Sequence, residues 1–197
     1  RDQLDMVFLA QVECGSVMRA LARPGGRAPM HCSGLGKAML AALSDDEISQ
    51  VLEQMPLPRF TDKTLTDRTA VLEDVAVSRS RGFAVDDEEF ALGLRCVASI
   101  LRDELGKPVA AVSLSGPSAR VTSQRLSELG NVFPANSVSP IRLAPYLAYA
   151  PRCLRVGASR NVTYGMRSSA IANLIAFREM RTPKPKESGR KTSPKSY

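Results

Sequence analysis

Two apolar runs, LRCVASILRD (residues 94–103) and PVAAVSLSG (108–116), are separated only by ELGK (104–107). Strand-forming residues on both sides of a short glycine-containing turn specify an antiparallel hairpin. This pair constrains the chain most, because its apolar face has to be covered by another layer. Helical patterns around it supply that cover. HCSGLGKAMLAAL (31–43) becomes a helix from about Ser33, and Ser44 and Glu47 have capping-box spacing for a second, short helix. DRTAVLEDVAVSRSRG (67–82) is amphipathic, with Leu72, Val75 and Ala76 on one face and Gly82 as its stop. TSQRLSELGNVF (122–133) opens another helix at Thr122.

The remaining elements are short. DMVFLAQVE (5–13) reads as a buried strand and SVMRALA (16–22) as a second, with Cys14-Gly15 as the tight turn between them. RPGGRAPM (23–30) reads as a loop, PLPRFT (56–61) as a connector, and FAVDD (83–87) as a strand. The order ββ-αα-α-β-ββ-α predicts an α+β fold, an antiparallel sheet flanked by helices.

Past residue 133 the periodicity ends. Prolines interrupt residues 134–170, and the last twenty residues are rich in Pro, Lys and Ser, a composition that favours disorder. The expected organisation is a body over 1–133 and a basic, Pro-rich, poorly ordered tail over 134–197. Charge divides at the same place. Residues 1–130 carry 15 Lys and Arg against 18 Asp and Glu, and residues 131–197 carry 12 against 2, so the overall +7 belongs to the tail. The body has no basic stripe for a phosphate backbone.

Several classes of function are disfavoured. No apolar run approaches the roughly 18 residues of a membrane span, and no charged-then-apolar leader follows Arg1. The expected location is the cytoplasm. Cys14, Cys32, Cys96 and Cys153 are far apart, without zinc-type spacing, and read as reduced thiols. With His31 as the one histidine, a His-based metal site or catalytic triad is not expected. No metal or cofactor is expected.

Three features could still carry chemistry. At Ser33-Gly34-Leu35-Gly36-Lys37 glycines precede a helix, where backbone N–H groups and the helix dipole favour an anion by about 0.3–1 kcal/mol. The same residues also suit an ordinary tight helix entry. In the hairpin, alternation places Leu94, Cys96 and Ala98 on one face, and likewise Ala111, Ser113 and Ser115. A buried hydroxyl without a partner costs on the order of 1–3 kcal/mol. Ser113 and Ser115 therefore either satisfy each other and the backbone or line a polar pocket. The acid run Asp86-Asp87-Glu88-Glu89 is in an extended stretch, so at most two of its carboxylates converge. Either the whole run is a solvated acidic loop, or one acid, Asp86 or Asp87, turns inward and leaves Glu88 and Glu89 solvated. Catalysis by Cys96 or Ser113, as in a small hydrolase or thiol enzyme, is the alternative function. It lacks a nucleophile elbow and has only His31 as a base.

Taken together, RAPMHCSGLGKAMLA (27–41), RGFAVDDEEFALGLRCVAS (81–99) and GKPVAAVSLSGPSARVT (106–122) closely resemble the effector-binding domain of the IclR family of bacterial transcription regulators. The resemblance covers roughly residues 5–131. It implies a GAF/PAS-like sensor fold with no enzymatic activity, in a protein that forms homodimers or homotetramers and binds a small organic acid. It further implies that the acid's carboxylate meets the N–H groups of Gly34 and Leu35, with further contacts from Asp86, Cys96, Ser113 and Ser115. The pocket wall maps to Val17, Ala20, Ala28 and Leu94. Like charges repel, so Asp86 is expected to accept from a ligand hydroxyl or a bridging water. Val17, Ala20 and Ala28 are small for such a wall, which predicts an effector larger than a two- or three-carbon acid. The winged helix-turn-helix through which the family meets DNA is missing from this sequence, and the residues after Phe133 do not resemble the family.

Overall fold

A computed structural model of the chain describes residues 5–12, 23–131, 133 and 171–176. Among these residues the elements run β1 (Asp5–Val7), β2 (Ala10–Val12), β3 (Arg27–Pro29), α1 (Gly34–Ala42), α2 (Asp45–Gln54), α3 (Arg68–Arg81), β4 (Ala84–Asp87), β5 (Leu94–Arg102), β6 (Pro108–Pro117), α4 (Ser123–Gly130) and β7 (Ile171–Ala176). The expected hairpin is the centre of a five-stranded antiparallel sheet of order β2-β7-β6-β5-β4. Its turn is fixed by Asp103, whose Oδ1 accepts from the N–H of Leu105 (3.0 Å) and of Lys107 (2.8 Å). Gly106 takes the left-handed φ of +78° that closes this turn.

The two faces of the sheet serve different layers. Beneath α1 the sheet presents Ala84, Ala98 and Ala111, whose small side chains let the helix lie close. Leu35, Met39 and Leu40 of α1 join Met6, Met30, Val71 and Val75 in the main core there. On the opposite face Val85, Val97 and Leu114 pack with Val121 and with Leu126 of α4. Each such side chain, fully buried, contributes about 1.5–3 kcal/mol.

The helix boundaries follow their caps. Ser33, Asp67 and Thr122 accept from backbone N–H groups three residues on, and Ser44 with Glu47 forms the full capping box. Gly82 ends α3 in the left-handed conformation at φ +83°. Neither α1 nor α2 has a glycine stop, and two arginines of α3 take over that task. Arg79 donates to the carbonyls of Ala41 (3.0 Å) and Leu43 (2.6 Å), and Arg68 donates to that of Leu52 (2.8 Å).

The structure departs from the sequence reading in four places. Residues 5–13 do not form one strand: β1 pairs with β3 in a small separate sheet, while β2 joins the large one. The region read as a loop thus contains β3, which continues into Phe8–Gly26 backbone hydrogen bonding. The buried stripe of α3 is Val71, Val75 and Ser78; Leu72 is 40% exposed and Ala76 is exposed as well. Finally, IANLIA (171–176), within the stretch read as tail, is a strand between β2 and β6. The predicted strand over 16–22 and its Cys14-Gly15 turn lie outside the described residues.

Candidate functional site

Register brings the hairpin residues and the acid run together. Asp86 of β4 pairs with Cys96 of β5, and Cys96 pairs with Ser115 of β6. One step along, Ala84 pairs with Ala98 and Ala98 with Ser113. Cross-strand partners share a face, so Asp86, Cys96, Ser115 and Ser113 form one polar patch on the α1 side of the sheet. All four are buried, Ser113 completely. The start of α1 sits on this patch. A Cβ on Gly34 would lie 3.2 Å from the Cys96 Cβ and 3.5 Å from the Ala98 Cβ.

The entry to α1 depends on a second glycine. At Gly36 a Cβ would lie 2.2 Å from the Met30 Cα, so the helix passes the 27–33 turn at backbone contact. Ser33 Oγ donates to the Pro29 carbonyl and accepts from the Gly36 N–H. Among the described residues, no hydrogen bond reaches the N–H groups of Gly34 and Leu35. The entry is therefore tight, as an ordinary helix start can be, and its first two donors are left without a hydrogen bond among the described residues.

Each side chain of the patch has a distinct state. Cys96 Sγ and Ser115 Oγ are 2.5 Å apart. Burial, with Asp86 adding to it, pushes the Cys96 thiol up to about 12. It is therefore a neutral thiol at physiological pH, not a thiolate nucleophile. Ser113 Oγ lies beside this thiol and makes no hydrogen bond of good geometry among the described residues. Asp86 is the inward acid, 2% exposed, with Oδ1 accepting from the N–H of Glu89 (2.9 Å) and of Phe90 (3.3 Å). Burial foremost, and then the neighbouring Glu89, push its carboxyl up to about 7, against the two N–H donors and Lys37.

The wall residues are divided. Ala28 is buried in the core cluster that holds Leu35, while Leu94, paired with Pro117, is half-buried at the end of β5. Val17 and Ala20 lie outside the described residues. The Nε2 of His31 is 3.0 Å from the Pro58 carbonyl oxygen, and burial lowers its pKa. Cys32 and Cys96 are buried free thiols.

The expectation of a solvated Glu89 is corrected. Glu89 is buried, with Oε1 2.5 Å from the Nζ of Lys37, a lysine with no exposed surface. Asp74 of α3 completes the cluster at 3.2 Å from the same Nζ. The Glu89 carbonyl is held by the hydroxyls of Thr61 (3.2 Å) and Thr64 (2.7 Å). This loop conformation turns Glu89 inward beside Asp86, whereas Glu88 pairs with Lys63 at 3.1 Å near the surface. The sequence signal for this cluster was a lysine inside the otherwise small and apolar helix 34–42, which needs a buried counter-charge if its face packs. Among the described residues, no group of three His, Cys, Asp or Glu could hold a metal ion, and no helix is long and apolar enough to cross a membrane.

Residues 1–137 match the family model of the bacterial transcriptional regulator IclR C-terminal domain. The acetate operon repressor of Salmonella typhimurium is 46% identical over 131 residues, 66% of this chain and 48% of that protein. The HTH-type transcriptional repressor AllR of Escherichia coli is 41% identical over 132 residues, 67% of this chain and 49% of its own length. The crystal structure of the Thermotoga maritima IclR superposes with a TM-score of 0.63 at 30% identity, covering 67% of this chain and 53% of that one. The chain spans about half the length of these relatives. Its antiparallel sheet and flanking helices are the GAF/PAS-like sensor fold. The chain belongs to the IclR family of bacterial transcriptional regulators, and residues 1–137 are its C-terminal effector-binding domain.

Proposed function

We propose that this domain binds a small organic acid and, as part of a longer cytoplasmic regulator, uses that binding to bias oligomerisation and DNA binding. The carboxylate is received by the N–H groups of Gly34 and Leu35, and the rest of the acid lies against Asp86, Cys96, Ser113 and Ser115, with Val17, Ala20, Ala28 and Leu94 as wall. The observation that carries this reading is Ser113: a hydroxyl with no exposed surface and no good hydrogen bond among the described residues, next to helix donors in the same condition. A buried group left in this state costs about 1–3 kcal/mol, which a polar ligand would recover.

Two to four charge-assisted hydrogen bonds of about 1.5–3 kcal/mol each, less ordering and desolvation, suit micromolar to millimolar affinity. Signalling needs only about 1–3 kcal/mol of coupling between the site and a homodimer, a homotetramer or a DNA-binding state. A regulator agrees with relatives that are transcriptional repressors, and DNA contact would belong to a winged helix-turn-helix elsewhere in the parent protein. The small Val17, Ala20 and Ala28 favour an acid larger than three carbons.

The test is a thermal-shift screen of organic acids, aromatic and sugar-derived acids included, with Ser113→Ala alongside. An acid at a hundredfold excess over its Kd should stabilise the protein by about 2.7 kcal/mol, and Ser113→Ala should weaken this. No stabilisation by any acid, or the same stabilisation in the variant, would sink the assignment. Tight binding confined to two- and three-carbon acids would refute the size reading alone.

A further inference from the structure

We propose that this site takes up one proton with each acid it binds, and that Asp86 is the group that holds it. The inference rests on the acid-binding reading and concerns the charge state of the same site.

Geometry sets the conflict. Asp86 is 2% exposed and is directly across from Cys96, on which the first residue of α1 rests. An acid carboxylate meeting Gly34 and Leu35 is thus brought against a patch that already contains a buried carboxyl. Two carboxylates that share a desolvated site do not both stay ionised.

Among the described residues, the titratable and charged groups around Asp86 do not relieve the conflict. Its own loop supplies Glu89, a further acid. From α1 comes Lys37, but its ammonium is already committed to Glu89 and to Asp74 of α3. Cys96 on β5 and Cys32 before α1 are thiols pushed to about 12 and carry no charge at neutral pH. With all carboxyls ionised, the cluster of Asp86, Glu89, Asp74 and Lys37 would be negative before any acid arrived.

The proton belongs on Asp86 and not on the ligand. The ligand carboxylate meets backbone donors at a helix start, which favour its ionised form. Asp86 is 2% exposed, and burial already draws it toward neutrality near pH 7. Its Oδ1 accepts two backbone N–H bonds, so the proton sits on Oδ2, as an O–H that can donate to the bound acid or to a bridging water. This replaces the expectation that Asp86 only accepts from a ligand hydroxyl. It also makes Asp86 a specificity residue for carboxylates over neutral analogues.

Calorimetry with pyruvate, gluconate and 4-hydroxybenzoate, in HEPES and in Tris at pH 8, counts the protons through the difference in buffer ionisation heat. The expected result is close to one proton taken up per acid bound at pH 8 and close to none at pH 5, where Asp86 is already protonated. Affinity should fall about tenfold per pH unit above pH 7. Asp86→Asn should bind with no proton uptake and a flat pH profile. Binding to the unaltered protein without uptake at pH 8, or the same uptake in Asp86→Asn, overturns the proton assignment and leaves acid sensing standing. If none of the three acids binds, acid sensing and this inference fall together.

Discussion

Lys37 is the side chain whose replacement should reveal most about how this domain is held together. It has no exposed surface, and its ammonium bridges Glu89 of the acid loop and Asp74 of α3. In Lys37→Met, Asp74, whose side chain is 25% exposed, can turn to water, but Glu89, 9% exposed, cannot. A buried carboxylate without a counter-charge neutralises itself. That limits the loss to the work of protonating a carboxyl of ordinary pKa 4.5, which at pH 7 is no more than about 3 kcal/mol and at pH 5 below about 1 kcal/mol. The sign follows: the penalty is absent below the ordinary Glu value and grows as pH rises. For a body of this size 3 kcal/mol corresponds to roughly 10 °C in Tm. Urea unfolding of the single variants and of Lys37→Met/Glu89→Gln, at pH 5 and pH 7, measures all of this. The double variant should recover most of the loss, because the neutral amide no longer needs the ammonium. A loss that does not shrink at pH 5, or a double variant as unstable as Lys37→Met, would refute the reasoning.

Two further outcomes can be checked by the same unfolding measurements. Gly36→Ala places a Cβ against the Met30 backbone at 2.2 Å, so it should destabilise by at least about 1–3 kcal/mol, and a change under about 0.5 kcal/mol would show that α1 does not pass this turn at contact. Asp86, raised from 3.8 to about 7, contributes stability that is fully present below its ordinary value and lost as pH rises through about 7. The amount is on the order of 4 kcal/mol. Asp86→Asn should therefore gain on the unaltered protein between pH 5 and pH 8, and parallel pH profiles would refute this.

Where local chemistry decides structure, the sequence was a sufficient guide. The hairpin, its Gly106 turn, the Ser44–Glu47 capping box, the Gly82 stop and the Thr122 start all appear at the predicted positions. The face shared by Ser113 and Ser115 followed from alternation alone, whereas position at a strand end left Asp86 and Asp87 undecided and only the family resemblance singled out Asp86. Errors arose where distant partners decide. In the stripe of α3, Val75 is buried as predicted, but Val71 and Ser78 take the places expected for Leu72 and Ala76. Short apolar runs such as 5–13 and 171–176 do not carry their own pairing, so neither the split between two sheets nor the place of β7 could be read from period.

Glu89 shows why the candidate site was only half legible. In the sequence it is the fourth of four acids, and nothing local separates it from Glu88. In the fold, Thr61 and Thr64 hold its carbonyl from a segment more than twenty residues earlier, and a lysine from another helix meets its carboxylate. The resulting loop also directs the Glu89 N–H onto Asp86 Oδ1. Lys37 thus acts on the polar patch twice: it anchors the loop that positions Asp86, and its charge opposes the shift that burial imposes on that carboxyl. If the patch receives a carboxylate as proposed, the acid would meet the donors at the start of α1, while the Lys37 ammonium, the buried cation of this cluster among the described residues, is already shared between two acids. Burial and Glu89 push the Asp86 carboxyl up while Lys37 pulls it down, so the charge of this aspartate depends on a lysine that the loop itself holds in place.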